Sequence, residues 1–434
     1  MSEIAIFWHR RDLRTDDNVG LFQALSSDLP VLPLFIFDSI ILDKLEDEDD
    51  ARVEFIHSEL SKVKKAYEKA GGSLIVRHGK PIEVWKSICE EFNVKAVYTN
   101  RDYEPYAQGR DKEIYSFLSE KDIPFKGYKD HVIFEKSEVV KDDGDPYLVF
   151  SPYARKWLAA VTDNTFKSVD SSSKLDSLYQ TDPLPMPSLE DLGFKSSEID
   201  APSKEVPKEI IDTYDKTRNF PAQNGTTKLS VHLRFGTISI RSLAREGQAR
   251  NKTYLNELIW RDFYQMILFH HPKSPDEAIK PAYDHIEWET NEEHFKAWCE
   301  GRTGYPIVDA GMRELNETGY MHNRVRMIVA SFLTKHLLLD WRWGERYFAR
   351  KLLDYELASN VGGWQWASGS GCDAAPYFRI FNPTSQLEKF DKDLKYVKQW
   401  VPEYGTENYP KPIVDHKEAR ERALSRYKEG LAKT

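Results

Sequence analysis

Cysteine is scarce in this sequence, and its scarcity excludes several classes of protein. The 434 residues include three cysteines, Cys89, Cys299 and Cys372, which lie far apart. An odd, scattered set does not build a disulfide framework or a cysteine-rich zinc site. Because no cluster of cysteine and histidine ligands is present, we expect no bound metal. Free thiols are typical of a reducing compartment, so we expect a cytoplasmic protein.

Long apolar runs are missing as well. No run approaches about 18 apolar residues, so the sequence predicts no membrane span. The N-terminal residues MSEIAIFWHRRDLR place a strand-like segment before the charges, unlike the basic-then-apolar order of a signal peptide. No GxGxxG motif follows this first apolar segment, which argues against a standard dinucleotide site there.

Net positive charge is absent overall, but the charges are unevenly distributed. The formal net charge is −9. Residues 206–434 carry 34 Lys and Arg against 31 Asp and Glu, whereas residues 1–205 carry 27 against 39. The stretch Lys216–Arg245 contains six basic residues and no acidic one. Such asymmetry indicates polyanion binding by the second part, with a solvated face of accidental clustering as the alternative.

The first 130 residues alternate between two patterns. Short apolar, β-branched segments are separated by longer segments with helical periodicity, which predicts a parallel sheet with helices on both faces. We therefore expect an α/β domain with a Rossmann-like sheet over residues 1–130. The predicted strands are 4–9, 31–38, 73–78 and 96–100, and the predicted helices include 51–70 and 81–92.

The pattern changes twice after residue 130. Residues 131–205 are rich in Pro, Ser and Asp, which predicts a connector with little regular structure. From residue 206 to 434 helical periodicity dominates, so we predict a larger all-α domain. Two long helices with apolar faces are expected in this domain, at residues 253–271 and 319–339.

Tryptophan is concentrated in the predicted helical domain. Eight of the eleven tryptophans lie between residues 260 and 400. Residues 362–383, GGWQWASGSGCDAAPYFRIFNP, combine large rings with small residues. Small residues allow a close approach to the backbone, and rings offer flat stacking surfaces. A flat aromatic cofactor or a base-sized ligand would use both, and a glycine loop ending in an aromatic core patch is the alternative.

Helical spacing brings chemically useful side chains together. Glu257, Trp260 and Tyr264 share one helix face, and so do Asn323 and Met327. The segment GTTKLSVHL, residues 225–233, offers hydroxyls and a lysine before a helical pattern, which suits phosphate binding. Ordinary helix caps would use the same residue types.

Several of these motifs, in their order along the chain, resemble the photolyase/cryptochrome family. The matching segments are FWHRRDLRTDDN, ELIWRDFY, MHNRVRM, DYELASN and GGWQWASGSGCDAAPYFRIFNPTSQLEKFD, within residues 3–400. The resemblance is closest to class I cyclobutane pyrimidine dimer photolyases. It implies a DNA-repair lyase in which light drives one electron from reduced FAD to a flipped-out dimer and back. The expected partner is UV-damaged DNA, bound by a bacterial-type cytoplasmic monomer that associates with the nucleoid.

The resemblance also implies which residues contact FAD. The flavin edge would meet Asp354 and Glu356, and Asn360 would lie near flavin N5, where it suits a reduced anionic flavin. The phosphates and ribose would be held by Tyr214, Thr226, Thr227, Lys228, Leu229 and Ser230.

The family's other functional positions carry over in the same way. Trp260 and Trp366 would wall the dimer, Glu257 would stabilise its radical anion, and Asn323 and Met327 would line the floor. A chain of tryptophans, Trp288, Trp341 and Trp364, would carry electrons from the surface to photo-oxidised flavin. The predicted DNA contacts are Arg218, Arg261, Arg324, Arg379 and Gln386.

A few positions depart from the family pattern. Folate-binding members carry an Asn-Glu pair where this chain has Tyr106 and Ala107. The difference argues against a folate antenna in the usual mode and leaves a deazaflavin, another flavin or no antenna open. Tyr254 stands where Trp is common, and Glu356 where Asp is usual. Both changes are conservative, so FAD is still expected.

Two alternatives belong to the same family. A (6-4) photolyase places histidines at its lesion pocket, where this chain has Asn323 and Met327. A cryptochrome, a blue-light sensor with FAD and no repair activity, usually alters the pocket or adds a long C-terminal tail. The intact Trp260 and Met327 favour the repair enzyme.

Overall fold

The computed structural model describes residues 2–433, which form two compact units. Each unit combines segments from before and after residue 206, so the domain boundaries expected at residues 130 and 206 stay predictions. The α/β unit comprises the chain up to Glu138, Ala159–Lys204 and Leu229–Ala249, and the helical unit comprises Val139–Leu158, Glu205–Lys228 and the chain from Arg250 onward.

The α/β unit is built on a five-stranded parallel sheet. Its strand order is β3-β2-β1-β4-β5. Strands β2 and β3 therefore lie on one side of β1, and strands β4 and β5 lie on its other side. The four predicted strands are confirmed, and a fifth, FKGY, was missed because it is short and only partly buried. The strands are β1 Glu3–His9, β2 Val31–Asp38, β3 Ile75–Gly79, β4 Asn93–Asn100 and β5 Phe125–Tyr128.

Helices cover the sheet, as the alternating pattern predicts. All of β2 is buried, because a parallel sheet packed on both faces needs continuous apolar strands. The core on one face centres on Trp8 and Trp85, which pack edge to face at 5.6 Å between ring centroids. The helices are α1 Val19–Leu25, α2 Ser39–Leu42, α3 Ala51–Lys69, α4 Pro81–Glu91 and α5 Pro105–Ser119.

Two later helices belong to the α/β unit, and buried charges join the second of them to the first residues of the chain. Arg241 donates to Asp17 at 3.0 Å and to Asp130 at 2.9 Å, and Arg14 donates to the other oxygen of Asp130 at 2.6 Å. All four side chains are at most 9% exposed. These helices are α9 Ser230–Phe235 and α10 Ile240–Arg250.

The helical unit holds most of the remaining helices around one large apolar core. Lys252–His270 confirms the first predicted long helix, capped by the Asn251 side chain, which accepts from two backbone N–H groups. Its α-helices are α6 Phe150–Ala160, which continues into the α/β unit, α7 Lys208–Asp212, α8 Tyr214–Thr217, α11 Lys252–His270, α12 Glu292–Cys299, α13 Pro306–Thr318, α14 Asn323–Ser331, α15 Trp341–Lys351, α16 Leu357–Ser368, α17 Pro383–Phe390, α18 Lys395–Trp400 and α19 His416–Leu431.

The second predicted long helix, residues 319–339, is wrong in its bounds. Gly319 adopts a left-handed conformation, φ 65°, and ends α13. Helix α14 begins only after His322, whose side chain caps it, and its last turns continue as a π-helix, Phe332–His336. The apolar pattern runs through both features because burial, rather than local helix geometry, decides where apolar residues stand.

Candidate functional site

Helix α11 places two of the predicted dimer-contacting residues, Glu257 and Trp260, on one face. Glu257 and Trp260 are one turn apart, and the Trp260 ring lies 5.5 Å from that of Tyr264. The Glu257 carboxylate accepts from the Arg218 guanidinium. Burial raises the pKa of Glu257, although Arg218 acts in the opposite direction. The face therefore combines an aromatic wall with a carboxyl that is held in place and more easily protonated than usual.

Trp260 is covered on one side by a ring that sequence reasoning missed. Phe150 stacks on it at 3.7 Å between centroids and 4° between planes. Asp373 anchors this contact: its backbone N–H donates to the Leu148 carbonyl at 2.8 Å, and its carboxylate accepts from the Phe150 N–H. The segment was interpreted as connector because of its Pro and Asp content, so the aromatic residue was overlooked.

Helix α16 separates the two tryptophans of the GGWQW motif. Trp364 is buried against Trp298 and Phe348, with centroids at 6.1 Å and 5.0 Å. Trp366 is half-buried, and its nearest ring partner is Phe381 at 6.5 Å. Residues two apart on a helix point about 200° apart. Trp364 thus packs in the core, and Trp366 is available to a ligand.

Glycines allow α16 to approach its neighbours. A Cβ at Gly362 would lie 2.2 Å from the Tyr264 ring of α11, and one at Gly344 of α15 would lie 2.0 Å from the Trp364 ring. Any side chain at either position would push a wall of the site outward. The small residues of the motif therefore serve close packing between helices.

Helix α14 contributes the predicted floor of the dimer pocket. Asn323, its first residue, is exposed, and Met327 is half-buried one turn later. Arg324 contacts the Met327 sulfur at 3.7 Å and donates to the Asn219 side chain at 2.6 Å. Its guanidinium also lies 4.6 Å from the Phe390 ring centroid. The arginine therefore holds the exposed side of the pocket together.

Three polar residues predicted at the flavin edge are each fixed by a partner. Asp354 accepts two bonds from Arg326, at 3.0 and 3.1 Å, and Glu356 accepts from Arg261 at 2.9 Å. Asn360 donates its Nδ2 to the backbone carbonyl and the carboxylate of Glu345, at 3.1 and 3.0 Å. Both of these partners are acceptors, so the amide nitrogen must face them. The Asn360 Oδ1 consequently points the other way and is an acceptor for a ligand.

Arg261 differs from the other predicted DNA contacts. It is 9% exposed, and its guanidinium is engaged with Glu356. This burial favours holding Glu356 over reaching a DNA phosphate. Of the remaining predicted contacts, Arg379 is exposed, and Gln386 lies half-buried on α17.

The predicted phosphate-binding segment lies where the chain passes from one unit to the other. Thr226 contacts the Tyr320 hydroxyl at 3.4 Å, and the Lys228 ammonium lies 5.1 Å from the Tyr320 ring centroid. Thr227, between these two residues in the chain, is half-buried. In the α/β unit, Leu229 is buried and Ser230 is exposed as the first residue of α9. Tyr214 in α8 packs edge to face on Tyr254 at 5.3 Å.

The three predicted electron-transfer tryptophans differ in exposure. Trp364 and Trp341 are 2% and 1% exposed, whereas Trp288 is half-buried and contacts Tyr427 at 5.8 Å. Of the three, Trp288 alone is partly exposed to solvent, and their role in electron transfer stays a prediction. Trp298, fully buried beside Trp364, was not singled out in the sequence because it lies outside every matched motif.

Several arginines of the basic stretch Lys216–Arg245 are engaged within the protein rather than exposed to solvent. Arg241 is buried among aspartates, Arg234 pairs with Glu104 at 3.2 Å, and Arg245 donates to the Phe166 carbonyl. Sequence proximity of like charges does not reveal that distant carboxylates neutralise them. Only the part before residue 229 lies in the helical unit.

Three buried side chains in the helical unit, Gln265, His322 and His336, have polar atoms without a partner among residues 2–433. Both amide atoms of Gln265 on α11 are unpaired, and so is Nε2 of His322 before α14. Buried polar groups are normally hydrogen-bonded, so these atoms suit a bound ligand or water. A hydroxyl- and phosphate-rich group such as FAD fits this set together with Lys228, Thr226 and the Asn360 oxygen. No local pattern marked Gln265 or His322, since an unpaired atom appears only in the folded chain.

A metal finds no comparable set. Across residues 2–433 no group of three or more His, Cys, Asp and Glu side chains is arranged to hold one. None of the helices in this range has the length and apolar composition needed to cross a membrane.

The departure from the folate pattern is also visible in the α/β unit. The Tyr106 hydroxyl donates to Asp38 at 2.6 Å, and Ala107 is buried. Neither residue supplies the amide and carboxylate of the Asn-Glu pair. A second chromophore thus stays undecided.

Comparisons with known proteins give a consistent result. Residues 5–172 match the family model of DNA photolyase, and residues 254–406 match the FAD binding domain of DNA photolyase. The chain is 37% identical to the deoxyribodipyrimidine photo-lyase of Synechococcus sp., over 96% of the chain and 94% of the relative. It is also 37% identical to the enzyme of Escherichia coli with the same name, over 97% and 98%.

Solved structures agree with these relatives. A bacterial class III photolyase from Agrobacterium tumefaciens has a TM-score of 0.89 at 33% identity, covering 100% of this chain and 98% of that one. An archaeal photolyase from Sulfolobus tokodaii, solved with two FAD molecules, has a TM-score of 0.81 at 35% identity, over 98% and 100%. A Synechocystis sp. cryptochrome, at 24% identity and a TM-score of 0.85 over 98% and 99%, shares the fold.

Proposed function

Because the chain belongs to the DNA photolyase family, we propose that it repairs UV-damaged DNA by splitting cyclobutane pyrimidine dimers with light. It is accordingly a deoxyribodipyrimidine photo-lyase that uses FAD. When bound, reduced FAD supplies on illumination the electron that opens the cyclobutane ring, breaking two C–C bonds, and takes it back without net redox change. The observation that carries the proposal is the aromatic face of α11, where Trp260 stands beside a held carboxyl.

The dimer must leave the DNA duplex to reach this face. Extruding a base costs a few kcal/mol, and the cost is least for a damaged pair. Trp260 and Trp366 offer flat walls for the extruded dimer, and Asn323 and Met327 offer its floor. Phe150 keeps the Trp260 plane fixed, so one face of the indole is presented to the lesion.

Glu257 is proposed to stabilise negative charge on the dimer. Its raised pKa increases the share of molecules in which the carboxyl carries a proton that it can donate to a pyrimidine carbonyl. Arg218 orients the group and adds positive charge nearby. A hydrogen bond aimed where charge develops stabilises the radical anion more than the neutral dimer.

FAD is proposed to be held by the Thr226–Lys228 segment with Tyr214, and by the polar residues Asp354, Glu356 and Asn360. Hydroxyls and the lysine of the Thr226–Lys228 segment suit its phosphates, and Tyr214 suits its ribose or phosphate region. The Asn360 oxygen suits an N–H donor such as that at N5 of a reduced flavin. Asp354 and Glu356, each paired with an arginine, fix the polar edge of the site.

DNA phosphates are proposed to be met by Arg218, Arg324, Arg379 and Gln386. Each neutralised phosphate releases counterions, so binding should weaken steeply as salt is raised. Arg324 is already held by Asn219, which limits the side-chain entropy lost on binding.

We also propose a cytoplasmic monomer that associates with the nucleoid when bound to DNA. Free Cys89, Cys299 and Cys372 fit a reducing compartment. Light scattering of the purified protein, alone and with damaged duplex, tests the monomer, and fluorescence imaging in UV-irradiated cells tests the location.

The first experiment measures repair of an oligonucleotide with one thymine cyclobutane dimer. Purified, pre-reduced protein is given blue light, and a dark sample and a (6-4) photoproduct serve as controls. Restoration of both thymines only in the light, and only from the cyclobutane dimer, is expected. A flavin-loaded protein that restores neither lesion would point to a sensor, and repair of the (6-4) lesion alone would reverse the substrate assignment.

A further inference from the structure

His322 uses only one of its two ring nitrogens within the protein. It precedes α14, and its Nδ1 accepts from the backbone N–H of Arg324 at 3.2 Å. A nitrogen that accepts a hydrogen bond carries no proton, so the neutral ring must carry its proton on Nε2. The helix cap therefore decides the tautomer and makes Nε2–H a donor.

This donor has no acceptor within residues 2–433. The residue is 3% exposed, and its Nε2 is fully buried and unpaired. Genuinely unpaired buried donors are rare in folded proteins, because burial removes the water that would otherwise bind them. The acceptor that this N–H needs must consequently come from outside the chain.

The surroundings indicate the chemistry of that acceptor. Burial and the positive charges of Arg326, Arg324, Lys228 and Arg218 lower the pKa of His322 to about 4. The ring is thus neutral at physiological pH and adds a donor without a further charge. Arg326 and Arg218 are paired with Asp354 and Glu257, and Glu314 accepts from the His322 backbone N–H at 3.3 Å. Lys228 and Arg324 have no carboxylate partner within residues 2–433, and cations beside a neutral donor favour an anionic, oxygen-rich ligand.

The chain places this donor beside the predicted phosphate-binding segment. Tyr320, two residues before His322, contacts Thr226 through its hydroxyl and Lys228 through its ring. Arg326 also lies 5.6 Å from the Tyr320 ring centroid. His322, Lys228 and Thr226 therefore line one region of the helical unit.

We propose that His322 donates from Nε2 to an oxygen of the ribose–diphosphate part of FAD. The inference rests on the FAD site of the proposed function and adds a ligand-binding residue to it. The flavin ring is the less suitable acceptor, since the polar residues predicted at its edge are Asp354, Glu356 and Asn360. Helix capping and cofactor binding would thus be performed by opposite sides of one imidazole.

Two substitutions distinguish the helix cap made by Nδ1 from the proposed donor at Nε2. His322→Asn keeps an acceptor near Nδ1, and Asn is a good N-cap, but it removes the donor at Nε2. His322→Gln places an amide nitrogen near Nε2 and removes the cap. FAD affinity of the apoprotein, measured by flavin fluorescence, and thermal stability of the apoprotein are recorded for both.

We expect His322→Asn to weaken FAD binding about tenfold or more, as for a lost hydrogen bond to a charged acceptor, with apoprotein stability close to that of the parent. His322→Gln should bind FAD within about threefold of the parent and melt at a lower temperature, since a cap is lost. Unchanged FAD affinity in His322→Asn would overturn the proposal and leave a buried water as the acceptor.

These outcomes are independent of repair. A parent protein that binds FAD but fails to repair the thymine dimer would refute the proposed function and still allow the comparison of FAD affinities. Conversely, a protein that repairs the dimer with equal FAD affinity in parent and His322→Asn would refute only the role of His322.

Discussion

The α/β unit and the helical unit bury polar groups in different ways. In the α/β unit, Asp130 is fully buried and is bonded to both Arg14 and Arg241. In the helical unit, Lys335 is 1% exposed and donates to the Ser368 carbonyl at 2.8 Å, 3.6 Å above the Tyr427 ring. Within residues 2–433 no carboxylate pairs with it, and burial lowers its pKa.

Neutral groups do not divide the two units in this way. Gln265 and His322 leave polar atoms unpaired inside the helical unit, and Trp85 leaves its Nε1 unpaired in the α/β unit, where Asn100 bonds to Asp12 and Asn18. Buried charge networks such as that of Asp130, Arg14 and Arg241 hold a scaffold together, because each buried charge requires its partner. Unused polar atoms are what a cofactor can satisfy. The contrast is therefore between particular buried charges: Asp130 is paired with two arginines, whereas Lys335 is held by a carbonyl oxygen.

The largest effect is expected from breaking the network of the α/β unit. Asp130→Ala leaves the guanidinium groups of Arg14 and Arg241 short of a buried partner and should lower the free energy of unfolding by about 3–5 kcal/mol. Chemical denaturation measures the loss. Asp142→Ala removes an exposed pair with Lys156 and serves as control, with no change expected. Equal effects of both substitutions would contradict the comparison.

Close packing in the helical unit should give the next largest effect. Gly362→Ala forces a Cβ into the Tyr264 ring and should cost about 1–3 kcal/mol of stability and loosen FAD. At the neighbouring Gly363 a Cβ meets nothing within 4 Å, so Gly363→Ala should stabilise α16 by up to about 1 kcal/mol. The melting temperature and the amount of FAD retained are measured for both variants. A Gly362→Ala variant as stable as the parent would refute the packing argument.

Acid should affect the helical unit through the buried His336, which contacts the half-buried His416. His336 Nε2 lies 2.8 Å from His416 Nδ1, and burial lowers the pKa of His336 to about 3 and also lowers that of His416. The unfolded chain binds these protons first, so stability present above about pH 6.5 is lost as the pH falls from there towards 3. The slope should approach 1.4 kcal/mol per pH unit for the proton that the buried His336 excludes.

Replacing the buried histidine tests this assignment. His336→Gln should flatten the dependence of the melting temperature on pH between 6.5 and 4.5. An unchanged slope would assign the acid sensitivity to other groups. Carboxylates with lowered pKa, such as Asp130, lose their contribution only in stronger acid.

Repair should depend on Glu257 without a matching loss of stability. Glu257→Ala is expected to lower repair per absorbed photon about tenfold, the equivalent of one hydrogen bond to a charged group, while FAD stays bound. Glu257→Gln keeps an N–H donor and should recover most of the repair. Full repair by Glu257→Ala would exclude a role for this carboxyl on the dimer.

The smallest effect on repair is expected at the tryptophan chain. Trp341→Phe should abolish photoreduction of oxidised FAD, yet pre-reduced enzyme should repair nearly as well as the parent, because repair returns its electron. Absorbance of the flavin under blue light measures photoreduction, and analysis of the oligonucleotide product measures repair. Lost repair in the pre-reduced variant, together with a lower melting temperature, would indicate structural damage instead.

Much of the fold follows from local pattern. The apolar runs at β1 and β2 identify strands to within one residue, and the periodicity of α11 identifies a helix and the shared face of Glu257 and Trp260. Strand β5 and the break at Gly319 were not predicted. A four-residue strand has too few positions for periodicity, and an apolar pattern can continue across a break when both sides are buried.

The amino-acid sequence by itself thus determined the α/β and helical character of the two parts, the aromatic crowding and the family. Tertiary structure alone decided that Arg241 joins the α/β unit through Asp17, 224 residues away, and that Phe150 stacks on Trp260. It also decided that His322 keeps an unused donor. The physical reason is range: local geometry depends on near neighbours, whereas pairing and burial depend on residues that only the folded chain brings together.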